Sequence, residues 1–347
     1  MPQTTVQIST GTATVHFDQA GSGPGLVLVH GTTANREQWQ HLTEHTKSHR
    51  TVVSPDYSGS GLTRDAGGPL TLADLATEVV AAVDAAGLDS FDLVGHSLGA
   101  VVGALVAADH PNRVRRLVLH AGWVHPDTRF QHETAHWVRL LRADPALFVD
   151  YLPLMAFGPR FWHSATPELI TGITSEVLQA LDVEGAIRQI ELDAQADITD
   201  RLSDITARTL VVTSRHDRLI DCTQQRTLVS GIHGASQIGL DAGHAAPIED
   251  LRVRRCRLGL PGRTGMTASD TATTTVPPPI AAPRRERHAR RGAVSVHADD
   301  SHHRVRRRCV AGEHQPRSAR RGERDIVGGQ RLPVDLRQLH GTHRQLG

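Results

Sequence analysis

Cysteine is scarce: three residues, Cys222, Cys256 and Cys309, are scattered over 347 positions. They are too few and too far apart for a disulfide framework, and no pair has metal-site spacing. No apolar run approaches the ~20 residues that a bilayer-spanning helix requires, which excludes a helical membrane protein. The opening MPQTTVQIST lacks a basic stretch leading into an apolar one, so no secretory signal is read there. The expectation is a soluble, cytoplasmic chain. Aromatic residues are few, 4 Trp, 2 Tyr and 6 Phe, and none follows residue 162. Lysine is absent beyond residue 250.

These absences divide the chain. The formal net charge of +1 hides 17 Lys and Arg against 29 Asp and Glu in residues 1–250, and 21 Arg against 8 acidic residues in 251–347. The two parts are therefore read separately.

Residues 1–250 alternate short apolar strands with helical periodicity, the pattern of a mostly parallel α/β sheet. A hairpin is expected at Thr5–Ser9 and Ala13–Asp18, turning at Thr10–Gly11. Further strands are expected at Gly25–Gly31, Thr51–Ser54, Phe91–Val94, Val114–Leu119, Thr209–Thr213 and Ser236–Leu240. Helices are expected at Arg36–Thr46, Thr71–Ala86, Leu98–Ala108 and Thr223–Ser230. Residues 123–206 interrupt the alternation with mostly helical text, including His132–Arg142 and Glu168–Leu181. An insertion after the C-terminal end of a strand lies where open sheets bind ligands, so it is read as a lid.

The sharpest local motif is Gly95-His-Ser-Leu-Gly99. It follows one expected strand and opens one expected helix, the setting of a nucleophile elbow. Small residues at 95 and 99 allow a tight turn that projects the Ser97 hydroxyl from the sheet edge. A serine hydroxyl needs a base. Fifteen histidines precede residue 250. Among them His244, just past the last strand, is placed to return to Ser97, whereas His120, His216 and His233 are read as surface or loop residues. An acid must fix the base's tautomer. Asp217, past the strand Thr209–Thr213, is preferred over Asp221, which lies four residues farther on. An acyl-transfer site also needs oxyanion donors. The backbone N–H groups of Leu98 and of Thr32, in the loop His30–Asn35, are chosen. His30 is read as a brace for that loop.

With these residues in hand the chain resembles the α/β-hydrolase superfamily, in the branch with an HG oxyanion loop and a helical cap. The resemblance runs from about Gly25 to Pro247 and rests on His30-Gly31, Asp56 with Gly59 and Gly61, Gly95-His-Ser-Leu-Gly99, Asp217 and Gly243-His244. It implies an α/β-hydrolase fold: a mostly parallel central sheet with helices on both faces. The core would be residues 1–122 and 207–250, the helical cap 123–206. It implies a Ser97–His244–Asp217 triad and no metal or organic cofactor. Serine at 97 argues against haloalkane dehalogenases and epoxide hydrolases, which use Asp there, and against dienelactone hydrolases, which use Cys.

The implied activity is hydrolysis of a carboxylic ester or lactone of a hydrophobic small molecule through an acyl-enzyme, with an antibiotic-inactivating esterase as one form. Thioesterase, C–C hydrolase and cofactor-free haloperoxidase chemistry use the same residues, and a non-catalytic ligand receptor is the contrasting class. Eight of the aromatics fall within residues 123–162. Trp123, next to a strand end, and Trp137 are the expected pocket walls.

Residues 251–347 match no family pattern. A basic arm for nucleic acid is disfavoured by the absence of aromatics for stacking and of lysine. Low hydrophobicity and high charge suffice for disorder. The favoured reading is a shifted frame in GC-rich DNA, with a disordered tail as its physical result, since Arg, Ala, Gly and Pro have GC-rich codons and the family pattern stops just after His244.

Overall fold

Strand β1 (Gln3–Ile8) turns back on β2 (Gly11–Ala20), closing with Ile8 opposite Gly11. Along β2 the buried residues are Ala13, Val15 and Phe17, the period of two of a strand with one face in a core. A computed structural model of the chain describes residues 1–249. The stretch 251–347, read above as disordered, lies outside the described residues.

Beyond the hairpin the strands are β3 (Gly25–Val29), β4 (Thr51–Pro55), β5 (Phe91–His96), β6 (Val114–His120), β7 (Arg208–Ser214) and β8 (Ser236–Leu240). They form one sheet in the order β1-β2-β4-β3-β5-β6-β7-β8. The pairings β1–β2 and β2–β4 are antiparallel, and all from β4–β3 to β7–β8 are parallel. All five residues of β3 are buried, as expected of a central strand covered on both faces. The chain leaves β3 for β4 on one side and crosses to β5 on the other, so strand order reverses between β3 and β5. Ligands bind at such a switch point, beyond the strands' C-terminal ends.

The helices are α1 (Gln40–Thr46), α2 (Leu72–Ala85), α3 (Leu98–Asp109), α4 (Thr128–Ala143), α5 (Pro145–Ala156), α6 (Pro159–Ser164), α7 (Pro167–Ala180), α8 (Val183–Asp193) and α9 (Cys222–Gly231). Helix α2 starts at a capping box in which Thr71 and Asp74 satisfy each other's backbone N–H. It packs against α3, and α3 against β5 and β6. Every residue of α3 from Leu98 to Ala108 is buried.

The insertion between β6 and β7 is helical, as the sequence implies, and divides into α4–α8. Its breaks are written locally. Asp127, Asp144, Thr166 and Asp182 each accept a backbone N–H at a helix start. Proline opens α5, α6 and α7, where its missing N–H costs nothing.

Two expected elements shift. Arg36–Thr46 divides into a 3₁₀ turn, Arg36–Trp39, and α1. Helix α4 starts at Thr128 rather than His132, because Asp127 caps it through the N–H of Phe130 at 2.7 Å. Among the described residues no helix is long and apolar enough to cross a membrane.

Candidate active site

Ser97 stands between β5 and α3 with φ 55° and ψ −123°, a left-handed backbone that a non-glycine residue rarely adopts. The flanking glycines make this turn possible. A Cβ on Gly95 would lie 2.1 Å from the carbonyl oxygen of Gly99, and one on Gly99 2.3 Å from the oxygens of His30 and Val29. The motif's small residues are thus required by backbone against backbone. The Ser97 N–H donates to the His120 carbonyl at 2.9 Å, tying the turn to β6.

His244 arrives from the loop after β8. Its Nε2 lies 3.0 Å from the Ser97 hydroxyl oxygen, and its Nδ1 lies 2.8 Å from Oδ2 of Asp217. An ionised carboxylate only accepts, so Nδ1 carries the proton and Nε2 is left to receive one from Ser97. The second Asp217 oxygen accepts the N–H groups of Leu219 and Ile220, both at 2.9 Å, which fixes the carboxylate plane. All three side chains are buried. The loop carrying His244 is anchored on both sides. Gly243 donates to Glu249 at 2.6 Å, and Ala245 donates to the Ala156 carbonyl of α5 at 2.9 Å.

The competing residues are occupied elsewhere. Asp221 caps α9 by accepting the N–H of Thr223 at 2.8 Å. His216 pairs with the exposed Asp241, and His233 is exposed. His120 corrects the sequence reading: it is buried, not at the surface. It faces Ser214 at 2.9 Å, and burial pushes its pKa down to about 4. His30 is also buried. Its Nδ1 donates to the Gly31 carbonyl at 2.8 Å, its Nε2 faces Ser60 at 3.1 Å, and its ring stacks on Tyr57. With both nitrogens used, it braces the loop after β3. Asp56 joins that support by accepting the Arg36 guanidinium and the N–H groups of Arg36 and Leu62.

Leu98 heads α3, where first-turn N–H groups have no intrahelical acceptor. Thr32 lines a cavity together with Ser97 and His244. The Thr32 hydroxyl donates to Asp193 at 2.7 Å, and the Thr33 N–H donates to Gln189 at 3.0 Å. Sequence reasoning missed both partners. They lie on α8, 161 and 156 residues away, and no local spacing marks them.

The cavity lies under the insertion. Phe130, Trp137, Phe148, Leu152, Ile173 and Val177 give it an apolar wall. Trp123, expected in that wall, does not line it. Its ring is buried behind Phe130, centroids 5.1 Å apart, and its indole N–H donates to the Ala196 carbonyl. Asp193 is the one carboxylate among the described lining residues, and burial pushes its carboxyl well above the usual range. Burial, followed by the neighbouring His244 and His120, pushes His96 well below the ordinary histidine value.

A sequence model for the alpha/beta hydrolase fold matches residues 24–251. The chain is similar to pyrrolizixenacetamide deacetylase of Xenorhabdus hominickii, 38% identical over 246 residues that cover 70% of this chain and 92% of that protein. It is 30% identical over 235 residues to a Klebsiella pneumoniae (strain 342) protein named "Putative carbamate hydrolase RutD", covering 65% of this chain and 86% of that one. Among solved structures, the enol-lactonase from Burkholderia xenovorans LB400 superposes with a TM-score of 0.63 at 22% identity, over 71% of this chain and 95% of that one. At that identity the likeness is one of fold.

Proposed function

The chain belongs to the α/β-hydrolase fold family, and we propose that within it Ser97, His244 and Asp217 serve as nucleophile, base and orienting acid of a serine hydrolase. The observation that carries this reading is the unbroken relay from Ser97 through His244 to Asp217 at 3.0 and 2.8 Å, opening on an apolar cavity. Ser97 Oγ attacks the substrate carbonyl as its proton passes to His244 Nε2. Asp217 steadies the resulting imidazolium. The N–H groups of Leu98 and Thr32 receive the oxyanion. His244 then protonates the leaving group, and an acyl group remains on Ser97. A water molecule, deprotonated by His244, releases the acid and restores the serine.

The insertion acts as a cap, and its apolar wall favours a hydrophobic small molecule. A carboxylic ester or lactone is the first substrate class, with an ester-linked secondary metabolite or antibiotic as its natural form. One observation favours a second reading, an amide or carbamate C–N bond: the two similar proteins above are named for deacetylation and carbamate hydrolysis. The relay serves either, with His244 protonating an alcohol or an amine.

The test is fluorophosphonate labelling together with turnover of matched O-acyl and N-acyl substrates. Labelling that disappears in Ser97→Ala, with kcat lowered by about 10⁶, is expected, since such residues act as a unit. Labelling that persists in Ser97→Ala would assign the nucleophile elsewhere. The ratio of ester to amide turnover decides the bond.

A further inference from the structure

Helix α8 turns one face toward the loops at the sheet's switch point, and that face carries Gly185, Gln189 and Asp193, each one turn from the next. At Gly185 the helix backbone sits directly on the loop after β4: a Cβ there would stand 2.4 Å from the carbonyl oxygen of Gly59. One turn on, Gln189 is fully buried and spends its amide on two loops. Its Oε1 accepts the Thr33 N–H and its Nε2 donates to the Ser58 carbonyl, both at 3.0 Å. One turn further, Asp193 accepts the Thr32 hydroxyl at 2.7 Å. Thr33 holds φ 61°, a strained conformation for a β-branched residue. Such a conformation persists only where its surroundings over-determine it.

We propose that α8 is the positioning element of the oxyanion loop, with Gln189 and Asp193 as positioning residues that fix Thr32 from its side chain and from its successor's N–H. The inference rests on the serine-hydrolase reading. An oxyanion hole works because its donors are fixed before charge develops, so none of the reaction's free energy goes into orienting them. Beyond the support of His30 and Asp56, the loop's two threonines are tied to a helix 156 and 161 residues away. The state of Asp193 suits the place. Burial pushes its carboxyl well above the usual range, which disfavours negative charge beside a forming oxyanion. The insertion is then part of the catalytic apparatus as well as a wall for substrate.

The test compares wild type with Gln189→Leu, Asp193→Leu, Asp193→Asn and Gly185→Ala. Gln189 is the cleanest position, because it does not line the cavity. For each variant kcat and KM are measured on a turned-over ester or amide, with the Kd of a trifluoromethyl ketone that forms an oxyanion adduct. Circular dichroism confirms folding. Gln189→Leu and Gly185→Ala should lower kcat by about 10²-fold, the cost of a displacement near 1 Å. KM should stay near wild type and the ketone's Kd should weaken in parallel with kcat. Asp193→Leu should share this pattern, and Asp193→Asn, which keeps an acceptor for the Thr32 hydroxyl, should recover most of the loss. A folded Gln189→Leu with unchanged kcat, or with only KM raised, overturns the proposal. So does a kcat loss that ketone binding does not follow. If wild type neither reacts with fluorophosphonate nor turns over any ester or amide, the serine-hydrolase reading fails, and this inference with it. Labelled, active wild type with indifferent variants refutes the inference alone.

Discussion

His96 donates from Nε2 to the backbone carbonyl of His244 at 2.9 Å, so the residue before the proposed nucleophile holds the proposed base across 148 positions of sequence. The ring is buried and kept well below the ordinary histidine pKa, which leaves it a neutral, fixed donor. Replacing it should free the His244 loop. His96→Leu is expected to lower kcat by about 10–100-fold with little change in KM, as a misplaced base would. Fluorophosphonate labelling rates of the two proteins check this; equal rates would show that the loop's other anchors suffice.

The two candidate acids separate cleanly. Asp217→Asn should keep the fold but lose about 10⁴ in kcat, because an amide facing Nδ1 favours the wrong tautomer of His244. Asp221→Asn should stay near wild-type activity, since Asp221 is spent capping α9. Steady-state kinetics of the pair tests the assignment, and the reverse pattern would transfer the role to Asp221.

Glu78 gives a pH signature unrelated to chemistry at Ser97. It is buried against the N–H and hydroxyl of Ser58, and burial raises its pKa from 4.5 to about 7. Below pH 4.5 the folded and unfolded states both hold the proton. As pH rises from 4.5 to about 7 the unfolded chain releases it while the folded protein keeps it, so stability falls. Above about pH 7 the loss is complete and amounts to roughly 3 kcal/mol. Glu78→Gln has no such proton to release. Its melting temperature, measured against wild type, should therefore rise between pH 4.5 and about 7 and level off above that. A constant difference would mean that Glu78 titrates normally.

We propose that the sequence from residue 251 comes from a shifted reading frame. The proposed site and its described partners all lie between His30 and Glu249. A chain cut near residue 265 should keep kcat/KM close to that of the full chain. Sequencing the DNA around codon 250 should reveal one base gained or lost; an intact frame there would refute the proposal.

Much of the framework was legible because its causes are local. Apolar runs mark the central strands to within a residue or two, and Thr71 marks the start of α2. Gly95 and Gly99 marked the elbow because only glycine tolerates backbone oxygens that close. What the sequence does not display is long-range or directional. Trp123 follows β6 closely enough to suggest the cavity, but its indole N–H turns to Ala196 and Phe130 takes the cavity side. His120 reads as polar text at a strand end, yet it is the last residue of β6 and faces Ser214 inside the sheet's edge. Gln189 and Asp193 look like an ordinary polar face of α8 until the loops they hold are brought beneath them.

The burial of α3 on every side bears on how the protein comes to exist at all. A helix with no polar face gains nothing from forming early in water, and short isolated helices are marginal in any case. Leu98–Ala108 becomes favourable only once sheet and neighbouring helices close around it, and the strained Ser97 at its head must wait for the same event. During refolding, therefore, bulk helicity can return first, carried by the insertion and α2. The proposed nucleophile, Ser97, should become competent last, as a marker of completed assembly.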